Sequence, residues 1–473
     1  MRNSDPVWTH VDERRDRYND MSDRIWDKPE IAYDEYAGVA EHTAMLEAEG
    51  FRVTRDVAGI PTAVMGEAGE GGPVIAILGE YDALPGLSQE AGVAEHKPLP
   101  GDGMGHGCGH NLLGAGSLLA AAAVKDWLKA NGVAGRVRYY GCPAEEGGAA
   151  KGFMARDGAF DDVDIAISWH PSAFVSVNDA KSLANTRIDF TFEGRASHAA
   201  ASPHLGRSAL DAVELMSVGV NYLREHVPST ARLHYAYLDA GGIAPNVVQA
   251  KATVRHLIRA DDLPTLTSLV ERVKKIAEGA ALMTETKVTT KVVSAVSNLL
   301  GNSPLEKAMY DAMLRLGPPE FDEADRAYAE KIRATLKPED IAAPWKRVGM
   351  KDTGSVLADF IVPLDAVGDD SKGSTDVGDV SWKVPTVQAR GATYAVGTPG
   401  HSWQLTAQGK SPAAHKGMVH VAKVMASTAV AAFTDETLIP RAKAEFKERT
   451  GGIPYRSPMP ADVKPPLKPR RAA

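Results

Sequence analysis

Three short apolar runs in the first half of the chain each lead directly into acidic or imidazole side chains. The runs and the residues that follow them are 73–78 with Glu80 and Asp82, 136–142 with Glu145 and Glu146, and 163–168 with His170. A continuous apolar run is typical of a strand buried on both faces, and a helical pattern over 112–128 separates the first run from the second. Strands that alternate with helices indicate an α/β sheet, which binds ligands outside the carboxyl ends of its strands. The sequence therefore predicts that these polar groups meet at one edge of such a sheet.

The segment between the first run and the helix is unusually rich in glycine, histidine and cysteine. Glycines at 103, 105, 107 and 109 exclude a regular helix or strand and let the backbone fold closely around something small. Cys108 and His110 are two residues apart, so in an extended segment both side chains point to the same side, as a shared metal site requires. The alternative is a glycine-rich turn with solvated histidines and a buried cysteine. The ligand-type residues at the later strand ends favour the metal site.

A fourth strand-like run, 389–396, leads into a loop that contains His401. With it, the candidate site residues are Cys108, His110, Glu145, Glu146, His170 and His401. Five ligands suffice for two metal ions when one ligand bridges them. Neighbouring glutamates in an irregular loop point in different directions, so one can bind metal while the other moves a proton between water and a leaving amine. We leave His106 unassigned, and we predict a core thiol at Cys142 and ordinary surface or helix positions for His204, His415 and His420.

Residues 186–295 show strand and helix patterns in the order β-α-β-β-α-β. This order is typical of a ferredoxin-like arrangement and indicates an inserted domain that splits the first domain in two. The predicted domains are 1–185 and 297–473 for the two parts of the catalytic domain and 186–296 for the insert. The sequence also predicts one helix over 20–50, a short strand around Val367 and an extended Pro/Lys/Arg arm after Gly452.

Length and composition exclude several classes of protein. A chain of 473 residues is long for one domain, and a net charge of -8 with a pI near 6.0 lacks the electrostatic footprint of a protein that binds nucleic acid or an anionic membrane. We expect no apolar stretch that reaches the roughly 20 residues of a membrane span, and the polar N-terminus lacks a signal-peptide core. The expectation is a cytoplasmic protein with neither nucleic acid nor membrane as a partner. Two cysteines exclude a disulfide-rich scaffold and suit a reducing compartment.

The motifs that carry the site residues resemble those of a known family, the aminoacylase and carboxypeptidase-type dinuclear metallopeptidases, in the branch that includes indole-acetyl-amino-acid hydrolases. The matching segments are His106-Gly-Cys-Gly-His110, Pro143-Ala-Glu-Glu-Gly147, Trp169-His170-Pro171 and Gly400-His401. The resemblance covers nearly the whole chain, including residues 374–382 and the Pro-rich tail. It implies a zinc-peptidase-like catalytic domain with a mixed sheet flanked by helices, plus an inserted ferredoxin-like lid and dimerisation domain.

The resemblance also implies a role for each residue of the metal site. Two divalent ions, zinc or manganese, are implied, with the ligands Cys108, His110, Glu146, His170 and His401. Cys108 takes the place of the bridging aspartate of other branches in this comparison. The resemblance further implies that Glu145 is the general base and that Asp82 orients a metal-bound histidine.

In the insert, the resemblance implies that His198 stabilises the oxyanion across a dimer and that Asn246 and Arg259 bind a substrate carboxylate. The implied reaction is hydrolysis of the amide bond of an N-acyl or N-aroyl amino acid such as p-aminobenzoyl-glutamate. The implied assembly is a homodimer through the insert or a heterodimer with a homologous subunit. Two departures concern the site: Asn111 stands where related branches often have aspartate, and Val248-Gln249 replaces a common Ile-Pro.

Three other functions stay open at this point. One is removal of an amino group from an aromatic compound by the same metals, with release of ammonia and no amino-acid product. Another is a non-catalytic subunit whose partner carries the activity, although the intact ligand set argues against it. The third is a hydrolase with Cys108 as a thiol nucleophile, which forms an acyl-enzyme without any metal requirement.

Overall fold

The computed structural model describes residues 5–101, 103–177, 182–368 and 373–467. The strands are β1 Arg52–Arg55, β2 Val64–Glu70, β3 Val74–Glu80, β4 Gly135–Cys142, β5 Ile165–Ser172, β6 Ala184–Glu193, β7 Arg232–Asp239, β8 Lys251–Ala260, β9 Lys287–Val296 and β10 Thr386–Ala392. The α-helices are α1 Pro6–Asp12, α2 Arg15–Trp26, α3 Tyr36–Ala48, α4 His110–Asn131, α5 Ala150–Arg156, α6 Ala209–Leu223, α7 Leu263–Thr284, α8 Ser303–Leu316, α9 Glu323–Arg333, α10 Pro338–Arg347, α11 Val377–Ser381, α12 Trp403–Gln408, α13 Pro412–Thr434 and α14 Leu438–Arg449.

Strands β1 to β5 and β10 form one six-stranded sheet in the order β1-β2-β4-β3-β5-β10. Strands β4, β3, β5 and β10 run parallel, whereas β1 and β2 pair antiparallel. Every residue of β3 is buried, as expected for a central strand that is covered on both faces. The predicted α/β class with a mixed sheet is confirmed. Because four strands are parallel, their carboxyl ends open at the same edge of the sheet.

Two long helices cover one face of this sheet. Helix α4 packs against β3, β4 and β5, and α13 packs against α4 and β10. By length and composition the 23 residues of α13 match a membrane span, contrary to the expectation from the sequence that no stretch would. In the fold, however, 67% of its apolar window is buried inside the protein. The apolar character of α13 is therefore that of a core helix.

Strands β6 to β9 form a second sheet, which is antiparallel and has the order β7-β8-β6-β9. Helices α6 and α7 cover one face, where the alternate β6 residues Ile188, Phe190 and Phe192 are buried. The elements follow the order β6-α6-β7-β8-α7-β9, so the predicted order is confirmed. We propose that residues 186–296 form a separate lid domain, because their apolar side chains form a cluster of their own.

The predicted single helix over 20–50 is wrong, because α2 and α3 are separate helices. Between them, Pro29 has no backbone N–H to donate and disfavours a helical conformation in the residue before it. Tyr33 has a left-handed backbone with φ 64°. This break in the helix places Tyr33 and Glu35 next to the loop that follows β4.

Other predicted strand limits also differ from the structure. The strand expected around Val367 is wrong, since Val367 lies in a loop and is 89% exposed. Strand β10 ends at Ala392 instead of residue 396, and the backbone N–H of Ala395 donates to the side-chain oxygen of Gln408 at 2.7 Å. Strand β5 continues through Trp169-His170-Pro171, because β10 pairs with it in register as far as Ser172. His170 therefore lies within a strand and not after one.

The described part of the C-terminal tail packs against the rest of the fold. Residues 453–467 form neither a helix nor a strand. Met459 is buried, and the Tyr455 hydroxyl donates to Oδ1 of Asp379 at 2.7 Å. The end of the predicted extended arm, residues 468–473, lies outside the described residues.

Candidate active site

The glycine-rich segment ends at the N-terminus of α4. His110 is the first residue of that helix, and Gly109 before it has a left-handed backbone with φ 76°. A Cβ at Gly109 would come within 3.0 Å of the Pro171 side chain, so glycine permits the close approach of this turn to β5. The turn brings Sγ of Cys108 to 3.4 Å from Nε2 of His170.

The possible metal-donor atoms converge in three groups, and within each group the atoms lie no more than 4.8 Å apart. The groups are Cys108, His110 and His170; Cys108, Glu146 and His401; and Glu80, His110 and Glu145. Cys108 is common to the first two groups, and His110 joins the first to the third. The six candidate residues at the strand ends therefore come together in space, with Cys108 between two sets of donors.

Asp82 holds two parts of this site together. Its Oδ1 lies 2.8 Å from Nδ1 of His110, and its Oδ2 accepts a hydrogen bond of 2.8 Å from the backbone N–H of Glu146. Because Nδ1 of His110 is engaged in this way, Nε2 is the ring nitrogen that faces the other donor atoms. The structure thus brings Asp82 to the position that a histidine-orienting residue needs.

The donor set fits a divalent cation. Thiol, imidazole and carboxylate groups are the side-chain types that bind zinc. Nε2 of His110 and Oε2 of Glu80 lie 3.3 Å apart, and both are buried without a hydrogen-bond partner among the residues that the structure describes. Buried polar atoms are rarely left unsatisfied, and an ion between these two would satisfy both.

Neighbouring charges favour the thiolate form of Cys108. Burial alone would raise the pKa of this thiol, but His170 and His110 outweigh burial and hold that pKa well below its ordinary value. Burial alone would lower the pKa of His110, but Cys108 and Asp82 raise it well above its ordinary value. Since the thiolate is the form that binds metal, the surroundings of Cys108 favour a ligand role.

Two further groups of the site have shifted pKa values. Burial, followed by the charges of Glu80 and Glu146, raises the pKa of Glu145 well above its ordinary value. Hydrogen bonds with Cys108 and Glu146 raise the pKa of His401 to about 10. Glu145 therefore takes up a proton more readily than an ordinary carboxyl group.

The two remaining histidines approach Cys108 from different parts of the chain. Nδ1 of His170 lies 2.8 Å from the carbonyl oxygen of Pro171, which places the ring proton on Nδ1 and leaves Nε2 towards Cys108. His401 has a left-handed backbone with φ 56°, and its backbone N–H donates to the carbonyl oxygen of Gly107 at 3.0 Å. The side chain of His401 is 54% exposed, so this residue lies at the mouth of the site.

The loop 143–148, which carries both adjacent glutamates, is held by two residues that the sequence does not mark. The backbone N–H of Ala144 donates to Oε1 of Glu35 at 2.9 Å, and the Tyr33 hydroxyl donates to the carbonyl oxygen of Gly148 at 2.6 Å. These contacts join residues 109 and 115 positions apart. No local pattern reveals contacts over such separations.

A buried chain of ionic side chains adjoins the donor groups. Lys151 on α5 is 0% exposed, and its Nζ lies 2.6 Å from Oε1 of Glu80 and 2.7 Å from Oδ1 of Asp376. The backbone N–H of Lys151 also donates to Oδ2 of Asp376 at 2.9 Å. Glu80 is visible in the sequence as a residue at the end of an apolar run. Lys151 carries no comparable signal, because lysine in a helix is usually exposed. Asp376 belongs to the segment 374–382 of the resemblance, which gave it no role.

His198 and Asn246, predicted from the resemblance to contact substrate, lie in loops beside the second sheet and belong to none of the donor groups. His198 is exposed, and its Nδ1 accepts hydrogen bonds of 3.3 and 3.1 Å from the backbone N–H groups of Ala200 and Ala201. Nε2 of His198 then carries the proton and is a hydrogen-bond donor. Asn246 is also exposed, and its carbonyl oxygen accepts from the N–H of Ala199 at 2.9 Å, so the two loops are neighbours.

Arg259 connects the second sheet to the catalytic part of the chain. Its Nη1 donates to Oγ of Ser374 at 2.9 Å. Arg187 lies on the adjacent strand β6, diagonally across from Arg259. Burial of Arg259, and then the positive charge of Arg187, lower the pKa of Arg259. Nη1 of Arg187 lies 3.8 Å from the position of a Cβ on Gly147, in the loop that carries the glutamates. Two guanidinium groups of the second sheet therefore lie close to the catalytic part.

The other residues that the sequence analysis named have structural roles. His106 is buried with Nε2 3.2 Å from the carbonyl oxygen of Ile25, and burial lowers its pKa to about 4. Asn111, where related branches often have aspartate, donates to Oγ of Ser22 at 3.0 Å. The ordinary core, surface or helix positions predicted for four other residues are confirmed, namely for Cys142, His204, His415 and His420.

Parallel strands gather thiol, imidazole and carboxylate donors near their carboxyl ends, beside a further carboxylate, and metal-dependent hydrolysis requires such an arrangement. Residues 76–460 match the model of Peptidase family M20/M25/M40, and the chain belongs to this family. The protein is therefore a metal-dependent hydrolase that acts on amide bonds.

Individual relatives agree with this assignment. One subunit of the p-aminobenzoyl-glutamate hydrolase of Escherichia coli strain K12 is 48% identical over 470 residues, which cover 97% of this chain and 98% of that protein. The other subunit of the same hydrolase is 30% identical over 242 residues, 49% of this chain and 54% of that protein. The structure of a dinuclear metal-binding peptidase of family M20 from Bacillus subtilis has a TM-score of 0.57 at 18% identity, and the match covers 88% of this chain and 98% of that one. The predicted family and fold class are confirmed.

Proposed function

We propose that this protein hydrolyses the amide bond of an N-acyl or N-aroyl amino acid, with p-aminobenzoyl-glutamate or a close analogue as substrate. The observation that carries the proposal is the position of Cys108, which belongs to two groups of donor atoms at once. A donor shared in this way would suit a pair of divalent ions. The 48% identity with one subunit of the Escherichia coli p-aminobenzoyl-glutamate hydrolase supports the substrate class.

In this proposal Cys108 would contribute to the donor set of each ion. One set is Cys108, His110 and His170, and the other is Cys108, Glu146 and His401. The ions would be zinc or manganese, and when bound they would polarise the substrate carbonyl and lower the pKa of water. Asp82 keeps His110 in the orientation that presents Nε2 to the site.

Glu145 is the proposed general base and general acid. It is adjacent in sequence to Glu146 but belongs to a different donor group, so neither set that contains Cys108 needs it. Its carboxylate takes a proton from the attacking water and then gives that proton to the departing nitrogen. One carboxylate serves both steps because the steps follow one another.

The proposed assembly explains the exposure of His198. His198 belongs to none of the donor groups among the described residues, and we assign its Nε2–H to the oxyanion of a partner subunit. Strand β7 is at the edge of its sheet and exposes Tyr235 and Tyr237, while α6 exposes Val218 and Tyr222. These apolar side chains support a homodimer through the lid, or a heterodimer with a homologous chain that resembles the other subunit of the Escherichia coli hydrolase. The molecular mass of the purified protein in solution, measured alone and after mixing with such a homologous chain, distinguishes the homodimer from the heterodimer.

The proposed reaction is tested by incubating the purified chain with p-aminobenzoyl-glutamate and a panel of other acyl-amino acids. We expect release of p-aminobenzoate and glutamate in equal amounts, loss of turnover after chelation, and recovery with zinc or manganese. Ammonia without a free amino acid would instead show an aromatic aminohydrolase. Turnover that requires a second subunit and is unchanged by Glu145→Gln in this chain would show a non-catalytic chain. Turnover that survives metal removal but not alkylation of Cys108 would show a thiol hydrolase. We also propose a cytoplasmic location, where a thiolate ligand stays reduced.

Replacing Asp82 by asparagine is expected to weaken metal binding by about 10- to 100-fold, because loss of a partner that orients a ligand has this effect in other metal sites. The asparagine keeps the size of the side chain but removes the negative charge beside Nδ1 of His110. Competition with a chromophoric chelator measures the affinity. The matched control is Asp239→Asn at an exposed position of β7. Equal metal affinity in the two variants would contradict the role of Asp82.

Replacing Arg259 by methionine is expected to raise KM by roughly 10- to 100-fold with little change in kcat, because a hydrogen bond to a charged group contributes about 1.5–3 kcal/mol. The control is Arg255→Met on the same strand, whose guanidinium is already paired with Asp189 at 2.6 Å. Steady-state kinetics on an acyl-amino acid and on its amidated analogue measure the effect. A KM that rises equally for both compounds would exclude carboxylate recognition by Arg259.

A further inference from the structure

We propose that Glu80 is an additional ligand of the ion held by His110, and that Lys151 and Asp376 keep the Glu80 carboxylate in position for it. The proposal rests on the proposed metal site but assigns residues beyond the five ligands discussed above. It concerns the group formed by Glu80, His110 and Glu145, which shares His110 with the group that contains Cys108 and His170.

The two oxygens of Glu80 have different surroundings. Glu80 is the last residue of β3 and is 2% exposed. Oε1 lies 2.6 Å from Nζ of Lys151. In the described part of the chain Oε2 has no hydrogen-bond partner, and it lies 3.3 Å from Nε2 of His110. Two donors on one tetrahedral ion, each bonded at about 2.0–2.1 Å, are separated by about 3.3 Å. The free oxygen therefore lies at the spacing of a second donor to the same ion.

An ion pair with Lys151 alone does not explain the arrangement of the two Glu80 oxygens. A buried carboxylate that served only to balance Lys151 would have both oxygens satisfied, since an unsatisfied buried oxygen is costly. The neighbouring Asp376 shows that pattern, because Oδ1 contacts Nζ of Lys151 and Oδ2 accepts from its backbone N–H. Of these two carboxylates only Glu80 has an oxygen without a hydrogen bond from the described residues, and that oxygen instead lies 3.3 Å from Nε2 of His110.

Lys151 explains how one oxygen of Glu80 stays available. Its ammonium group is completely buried and lies between two carboxylates, as a buried charge requires. Asp376 immediately precedes α11 and binds both the ammonium and the backbone N–H of Lys151, which fixes the lysine in place. The ammonium then holds Oε1 of Glu80 and directs Oε2 towards His110. In this arrangement Lys151 and Asp376 are positioning residues, and Glu80 is the ligand.

The test compares zinc binding by the wild type, Glu80→Gln and Glu80→Asp. Metal-free protein is titrated with zinc against a chromophoric chelator, and the visible spectrum of the cobalt-loaded protein reports the coordination of the ion. We expect one of the two sites to weaken at least tenfold in both variants, with a change in the cobalt absorption bands. Glu80→Asp keeps the charge next to Lys151 but withdraws the oxygen, so it separates ligation from charge balance. The matched control is Asp379→Asn, a buried carboxyl that bonds Ser297 and Tyr455 instead of Lys151 and should leave both affinities unchanged within about twofold.

Each outcome decides the assignment. Wild-type zinc affinity and cobalt bands in Glu80→Asp would overturn it, whatever the effect of Glu80→Gln, because charge alone would then be sufficient. If Glu80→Gln fails to fold, as thermal unfolding of the metal-free protein would show, Glu80→Asp provides the decision. A wild type that binds zinc as expected but cleaves no acyl-amino acid would remove the proposed function and leave the assignment of Glu80 intact.

Discussion

Replacing Glu145 by glutamine is expected to lower kcat and kcat/KM together by about 10³-fold, within the range of about 10²–10⁴ that positioned proton transfer contributes. The amide has the shape of the carboxylate but cannot take a proton from water or return one to the leaving nitrogen. Neither set of donors that contains Cys108 includes Glu145, so the variant should bind as much metal as the wild type. Steady-state kinetics combined with elemental analysis measure both quantities.

The control for this substitution is Glu278→Gln, an exposed position on α7. It should retain wild-type kinetics and metal content. Activity of Glu145→Gln within tenfold of the wild type would remove the assignment of Glu145 as base. Loss of metal together with activity would instead make Glu145 a ligand.

Replacing Cys108 by alanine is expected to weaken both metal sites, each by at least about 100-fold, and to abolish turnover at ordinary metal concentrations. The reason is that Sγ of Cys108 belongs to two donor groups, so its removal takes one donor from each ion. Loss of a directly bonded donor should exceed the roughly 10- to 100-fold cost of losing an orienting partner such as Asp82. Titration with zinc against a chelator reports both dissociation constants.

Two further variants serve as the control and the rescue for the Cys108→Ala substitution. Cys142→Ala removes the other thiol, which is buried and belongs to none of the donor groups, and should leave metal binding unchanged. Cys108→Asp should restore part of the metal binding, because a carboxylate can also bridge two ions. If Cys108→Ala weakened only one site, the shared position of the thiol would be contradicted.

Much of the candidate site could be predicted from local features of the chain. The apolar run of β3 and the glycine-rich turn before α4 each identify a strand end or loop without knowledge of the fold. Because the carboxyl ends of parallel strands open at one edge, Cys108, Glu146 and His170 could be expected to meet there. Periodicity also predicted α6 and α7 and their order with the strands of the second sheet.

Other elements could not be predicted in the same way. Strands β1 and β2 lack a continuous apolar run, because β1 is mostly exposed at the edge of the sheet and only alternate residues of β2 are buried. The break between α2 and α3 depends on a left-handed Tyr33, which no helical periodicity reveals. The apolar content of α13 suits a core helix and a membrane span equally well, and only its packing against α4 and β10 separates the two.

By itself the sequence determined the class of fold and the chemical types of the donors, because periodicity and the spacing within one loop are local properties of the chain. Only the tertiary structure decided that Cys108 belongs to two donor groups. It also decided that one carboxylate oxygen of Glu80 contacts Lys151 while the other lies next to Nε2 of His110. These relations depend on the sheet order β4-β3-β5-β10 and on contacts such as that of Lys151 with Asp376, 225 residues further along. Spacing along the chain carries no information about such contacts, because the order of strands in the sheet places distant segments side by side.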